Sequence, residues 1–339
     1  MSQAIAYVSC ADSKEIHVFS LDNQLGELRL RQRLQLVESP SPLKLSPNRR
    51  VLYAGTRSEN TIKAFGIDQT RGELTPLGSV PASGRPAYVA CDNTMQLAFS
   101  ASYGDNRLEV FPLDAKGVPR AACQIEMDLP HAHAALMNDS NQWLLVPMLG
   151  ADAIGIYRLE GRRLVPNDPA LTRVRSGSGP RHLVFSPDNR HVHCLNELDG
   201  SINVFDFDPA VGTLRLKQSI SILPPGFDGK PWAAELRAAP DGCFLYATER
   251  RSSVIAAFAV DVESGLLTLI DHYPTETQPR GMGISPSGRW LLAAGELSNH
   301  LTVYAIDQAT GRLTPGHRQA TGQDPICVEI AELSGSPDA

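Results

Sequence analysis

Apolar residues fall in short runs broken by polar turns along nearly the whole chain, and stripes of helical period are scarce. Three segments, "NTIKAF", "SINVFDF" and "LTVYAI", alternate apolar and polar residues, the pattern of a strand with one buried face. Each leads into D-x-x-x-G-x-L, where Asp and Gly relieve the backbone of a tight turn into a further strand. Each is preceded by two apolar runs joined by an S-P-D-like turn. The pattern therefore predicts four consecutive strands per segment in a chain that is nearly all β.

The segment repeats. Clear copies are "LKLSPNRRVLYAGTRSENTIKAFGIDQTRGELTPL", "LVFSPDNRHVHCLNELDGSINVFDFDPAVGTLRL" and "MGISPSGRWLLAAGELSNHLTVYAIDQATGRLTP", with weaker ones beginning "AYVACDN", "AALMNDS" and "ELRAAPDG". Their turn residues Pro47, Cys91, Asp139, Pro187, Pro240 and Pro286 lie 44, 48, 48, 53 and 46 positions apart, a propeller-blade spacing. Two pieces remain: an N-terminal "AIAYVSCADSKEIHVFSLDNQLGELRLRQ" without a first strand, and a C-terminal "PICVEIAEL" that is a first strand alone. Together they make a seventh blade, which closes the ring and leaves no long strand edge open. Residues 1–333 are thus expected to form one seven-bladed β-propeller domain of four antiparallel strands per blade, and the polar residues 334–339 a flexible tail.

Charges recur at equivalent positions. Six residues before each turn residue stand Ser41, Arg85, His133, Arg181, Ala234 and Arg280, expected just before the innermost strand of each blade. Ten residues after four of the turns stand Arg57, Glu197, Arg250 and Glu296, expected at the end of the second strand. Cations converging on one end of a narrow channel repel one another unless an anion lies between them, so the pattern points to an anionic small-molecule ligand. His133 suits acid/base or hydrogen-bonding work. Its HxH partner His131 would share its face in a strand, but two histidines make a weak metal site. His182, next to Arg181, is expected on the opposite side of its strand, where packing and ligand contact compete.

Composition narrows the function classes. The 339 residues carry 42% hydrophobic and 20% charged residues with a net charge of -6, which disfavours nucleic acid as a partner. No apolar stretch is long enough to span a bilayer, and "MSQAIAYVSCADSKEIHVF" does not read as a secretory signal, so a cytoplasmic protein without a membrane partner is expected. The six cysteines are scattered without metal-binding spacing and read as buried free thiols. Phosphate loops and G-x-S-x-G are absent, which leaves bound nucleotide and serine nucleophile chemistry unsupported.

The stretches "GPRHLVFSP" followed by "NEL", "WAAELRAAPDGCFLYATER", "PTETQPRGMGISPSGRWLLAAG" and "GQDPICV" resemble, in order and over essentially the whole chain, the seven-bladed propeller lactonase (cycloisomerase 2) family. That resemblance implies hydrolysis of 6-phospho-D-glucono-1,5-lactone to 6-phospho-D-gluconate in the oxidative pentose phosphate pathway, without a cofactor or metal. The family's fungal muconate cyclases have a proposed site of one histidine, two arginines and a glutamate, which by motif fall on His133, Arg181, Arg280 and Glu197. These four are the candidate catalytic residues, with Arg181, Arg280, His182, Arg85, Arg57 and Arg250 as candidate substrate and phosphate contacts. His133 is the favoured base, since a glutamate flanked by arginines is the weaker one. A muconate-type lactonising reaction is the alternative, and a non-enzymatic interaction propeller is disfavoured because its W-D blade signature is missing. A monomer or weak homo-oligomer is expected.

Overall fold

Each of the six internal repeats forms its own four-stranded antiparallel sheet, and a seventh sheet joins the two ends of the chain. The computed structural model describes residues 3–333, so the expected tail 334–339 lies outside the described residues. In the closing blade, Pro325–Leu333 is innermost and pairs with Gln3–Cys10, Ala6 opposite Ile330, followed by Glu15–Leu21 and Leu28–Gln35. The blade starting at Pro40 is here called blade one, and the closing blade is blade seven. The only helical element among the described residues is a 3-10 turn, Leu149–Ala151.

The core is seven cores. One apolar cluster lies in each gap between neighbouring blades, for example Ile5, Tyr7, Leu43, Leu52 and Phe65 between blades seven and one, and Leu195, Val204, Leu236, Leu245 and Phe258 between blades four and five. A twisted four-stranded sheet has two apolar faces, and only stacking against both neighbours removes both from water. One strand departs from the expected alternation: Thr61–Ile67 and His300–Ile306 alternate apart from one consecutive buried pair each, whereas Ser201–Asp208 buries its first five residues.

The D-x-x-x-G turns act as clamps between blades. Asp68 Oδ1 accepts hydrogen bonds from the Thr70 and Arg71 backbone (2.9 and 2.8 Å), and Gly72 sits at φ 74°, the left-handed region that favours glycine. Across the blade gap, Tyr7 Oη donates to the Gly72 carbonyl at 3.0 Å. With apolar contacts between blades, the axis is left to polar groups.

Near that axis the inner strands approach closely. A Cβ on Gly281, in the inner strand Pro279–Ile284 of blade six, would lie 2.8 Å from the Ile326 carbonyl carbon and 2.9 Å from the Cys327 Cα of blade seven. Backbone cannot yield as a side-chain end can. Gly281→Ala is therefore expected to destabilise the protein by about 1–3 kcal/mol through overpacking, read as a lower urea midpoint. An unchanged midpoint would mean that the two inner strands have slack.

Candidate active site

The inner strands carry β-bulges where they reach one end of the axis. In blade four Pro180 pairs with Asn196 and His182 with Leu195, which leaves Arg181 as the extra residue; in blade six Arg280 is extra between Pro279 and Gly281. Blades one and five shift register at the same place, between Pro40 and Leu43 and between Ala233 and Leu236. A bulge interrupts the two-residue alternation and re-aims side chains. Two sequence expectations are corrected by this. Ser41, Arg181, Ala234 and Arg280 lie inside the inner strands, and only Arg85 and His133 precede them. Consecutive Arg181 and His182 both face the axis, with Arg181 NH1 3.1 Å from His182 Nε2.

A cavity of about 380 Å³ opens at this end, within the usual range for a small-molecule site. Arg57, Arg85, His133, Arg181, Glu197, Arg250 and Arg280 all line it, drawn from blades one to six. Arg57, Glu197, Arg250 and Glu296 directly follow second strands, as the repeat register predicts. Ala234 contributes only its carbonyl, which accepts a hydrogen bond from Arg181 NH1.

Glu197 is held on both oxygens. Its Oε2 lies 2.8 Å from Arg181 Nε and 3.2 Å from Arg250 NH2, and its Oε1 accepts from Trp232 Nε1 at 3.1 Å. Arg250 also donates to the Trp232 and Ala233 carbonyls, and its guanidinium stacks 3.7 Å from the Trp232 ring centroid, a cation–π contact. Arg280 donates to Glu296 at 2.9 Å, and Gln278 holds the other Glu296 oxygen at 2.6 Å. Arg181 and Arg250 are only 3% and 4% exposed. Burial lowers the pKa of both against the pull of Glu197; Arg280 adds to the lowering of both, and Arg181 to that of Arg250.

His133 stands on the wall of this cavity and also borders a narrower chamber deeper in the axis. Its backbone N–H donates to the Pro147 carbonyl, while its buried Nδ1 has no hydrogen-bond partner among the described residues. Its pKa is well below 6.5, first through burial and then through Arg181, His182, Arg280 and Arg250, so the ring is neutral at pH 7. A free imidazole near 6.5 suits acid/base work at neutral pH; here burial first, and the surrounding cations second, take the ring away from that value. His131 is not on its face: residue 131 has φ 52°, outside any strand, and its ring stacks on Tyr103 at 4.3 Å. The HxH strand geometry is therefore not formed.

His182 belongs to the deeper chamber of about 40 Å³ and does not line the mouth cavity, unlike the phosphate contact first expected. Guanidinium has no acceptor, so His182 Nε2 accepts from Arg181 and its proton resides on Nδ1, which donates to Glu235 at 2.7 Å. Burial takes the His182 pKa down to about 4 against the pull of Glu235. Against the same burial, Arg237 and His182 hold Glu235 at about 2. Glu235–His182–Arg181–Glu197 is thus one continuous chain of contacts that fixes Arg181.

Tyr103 and Trp232 also line the mouth, and neither stood out in the sequence. Tyr103 follows the second strand of blade two as Arg57 does in blade one, but that strand ends two residues later relative to Cys91. Trp232 comes from the 222–232 connection, within the longest interval of the repeat, Pro187 to Pro240. The cysteines form no disulfide; Cys10, Cys91 and Cys194 are buried, but Cys123 is exposed, contrary to the expectation of burial. Among the described residues no helix is long and apolar enough to cross a membrane.

Comparison with known proteins matches residues 4–330 to the family model "Lactonase, 7-bladed beta-propeller". The chain is 39% identical over 330 residues to the 6-phosphogluconolactonase of Sodalis glossinidius (strain morsitans), covering 96% of this chain and 98% of that one. It is 38% identical to the 6-phosphogluconolactonase of Yersinia pestis, covering 99% and 100%. Among solved structures, a periplasmic gluconolactonase from Pseudomonas aeruginosa superposes with a TM-score of 0.92 at 27% identity, covering 98% and 100% of the two chains.

Proposed function

The chain belongs to the seven-bladed β-propeller lactonase family, and from that premise we propose that it is a 6-phosphogluconolactonase, a hydrolase opening 6-phospho-D-glucono-1,5-lactone to 6-phospho-D-gluconate. The observation that carries this reading is an unpartnered, neutral imidazole beside guanidiniums fixed by the carboxylates of Glu197 and Glu296. That set of groups suits addition of water to a lactone carbonyl in an anionic substrate.

In this mechanism His133 takes a proton from water as the water oxygen bonds to C1 and the carbonyl electron pair moves onto oxygen. Arg181 and Arg280, positioned beforehand by Glu197 and Glu296, stabilise the developing oxyanion. Collapse breaks the C1 bond to the ring oxygen, which takes the proton back from His133, and the new carboxylic acid ionises into water. Glu197 acts as a positioning residue: Oε1 accepts from Trp232 and Oε2 lies in ion-pair contact with Arg181 and Arg250, which leaves it poorly placed as a base. The six free cysteines support a reducing, cytoplasmic location.

The direct test supplies freshly generated 6-phosphogluconolactone and compares its loss with spontaneous opening. The wild type is expected to accelerate it, and Arg280→Ala to lower kcat/KM by roughly 10²-fold through lost oxyanion stabilisation. A wild-type rate equal to the spontaneous one would overturn the reading.

A further inference from the structure

The five arginines of the mouth differ in what already neutralises them. Arg181 and Arg250 share Glu197, and Arg280 is paired with Glu296. Arg57 reaches only Asp324, at 3.8 Å, while its Nε donates to Ser41 Oγ at 2.9 Å. Arg85 has no carboxylate within 4.0 Å of its guanidinium among the described residues. The guanidiniums least engaged by carboxylates therefore lie on the side of blades one and two.

Depth runs the same way. Arg181, Arg250 and His133 are buried, whereas the Arg280 and Arg57 side chains are 26% and 30% exposed and Arg85 is exposed. The backbone beside Arg85 is nevertheless fixed: Ser83 and Gly84 N–H donate to Glu109, each at 2.9 Å, and the Arg85 N–H to Asp105 at 2.8 Å. A free guanidinium on an anchored loop is a preorganised anion donor.

We infer that Arg57 and Arg85 form the phosphate subsite and select phosphorylated over unphosphorylated aldonolactones, with the lactone carbonyl directed inward to His133 and Arg181. This rests on the hydrolytic reading above. A phosphate dianion gains most where cations are uncompensated, and it keeps part of its hydration at the exposed rim; the lactone carbon needs the dry interior where the imidazole stands. The arginines of the Glu197 cluster are held at 2.8 and 3.2 Å by that carboxylate and, for Arg250, by two backbone carbonyls, which leaves fewer donors free for a dianion than Arg57 and Arg85 offer. In support, the Arg57 pKa is lowered by burial and then by Arg280, with Arg85 adding to it, a repulsion that a bound phosphate relieves.

The experiment measures kcat/KM for 6-phosphogluconolactone and for plain glucono-1,5-lactone in wild type, Arg57→Gln, Arg85→Ala, the double variant and Arg181→Gln, with inorganic phosphate as competitive inhibitor. Each rim substitution is expected to lower the ratio of the two kcat/KM values by about 10- to 100-fold, chiefly through KM of the phosphorylated lactone, and to weaken phosphate inhibition. Arg181→Gln is expected to slow both lactones together and keep the ratio. A double variant with the wild-type ratio and the wild-type phosphate inhibition constant refutes the subsite while leaving the hydrolase intact. A wild type inactive on both lactones removes the hydrolytic reading and the subsite with it. Arg57→Lys and Arg85→Lys, which keep the charge, should recover part of the ratio, which a folding defect would not do.

Discussion

Replacing His133 with asparagine is expected to lower kcat for 6-phosphogluconolactone by about 10²–10⁴-fold, the usual contribution of a positioned general base. KM should change far less, since the phosphate and the arginines are untouched. The pH profile makes the test sharper. The base form of His133 is the neutral ring, and its pKa in the fold is below 6.5, so activity should persist below pH 6.5 and fall only as pH drops through the lowered value. The same sign holds for stability: the unfolded chain takes up a proton near 6.5 that the fold refuses, so acid weakens the fold through this residue. An acid limb centred at 6.5 or above, or one that survives in His133→Asn, would assign the base elsewhere.

Glu197→Ala is expected to produce the largest loss of stability of any single change at the mouth. It leaves Arg181 and Arg250, both nearly inaccessible to water, without their shared counter-charge, and breaking a buried pair from one side costs about 3–5 kcal/mol. It also strips an acceptor from Trp232 Nε1. Thermal midpoints measured with and without phosphate check this: the variant should melt well below wild type, and bound anion should restore more of its midpoint than of the wild type's. A midpoint unchanged from wild type would show that the two arginines do not depend on Glu197.

Gly281→Ala and these two substitutions probe different layers of one design. Apolar stacking between blades sets where the inner strands run; the bulges then turn charged residues at their ends into the axis, and carboxylates from the second strands hold them there. Each layer depends on the one before, which is why the positively charged mouth can persist within a protein of net charge -6.

Much of this was legible in the chain. The recurring S-P-D and D-x-x-x-G turns, and the half-units at the two ends, determined seven blades and their closure, because turn chemistry and two-residue alternation are local properties. Register counting likewise brought Arg57, Arg85, His133, Arg181, Glu197, Arg250 and Arg280 to one end of the axis. Tertiary structure alone decided the rest. The side of the strand on which His182 lies was misread because a bulge adds a residue that no pattern of apolar positions reveals. Trp232 and Tyr103 reached the mouth through a long connection and a late strand end. The state of His133, and which arginines remain free, depend on distances between groups from different blades, since burial and Coulomb interactions act through space and carry no trace in the order of residues along the chain.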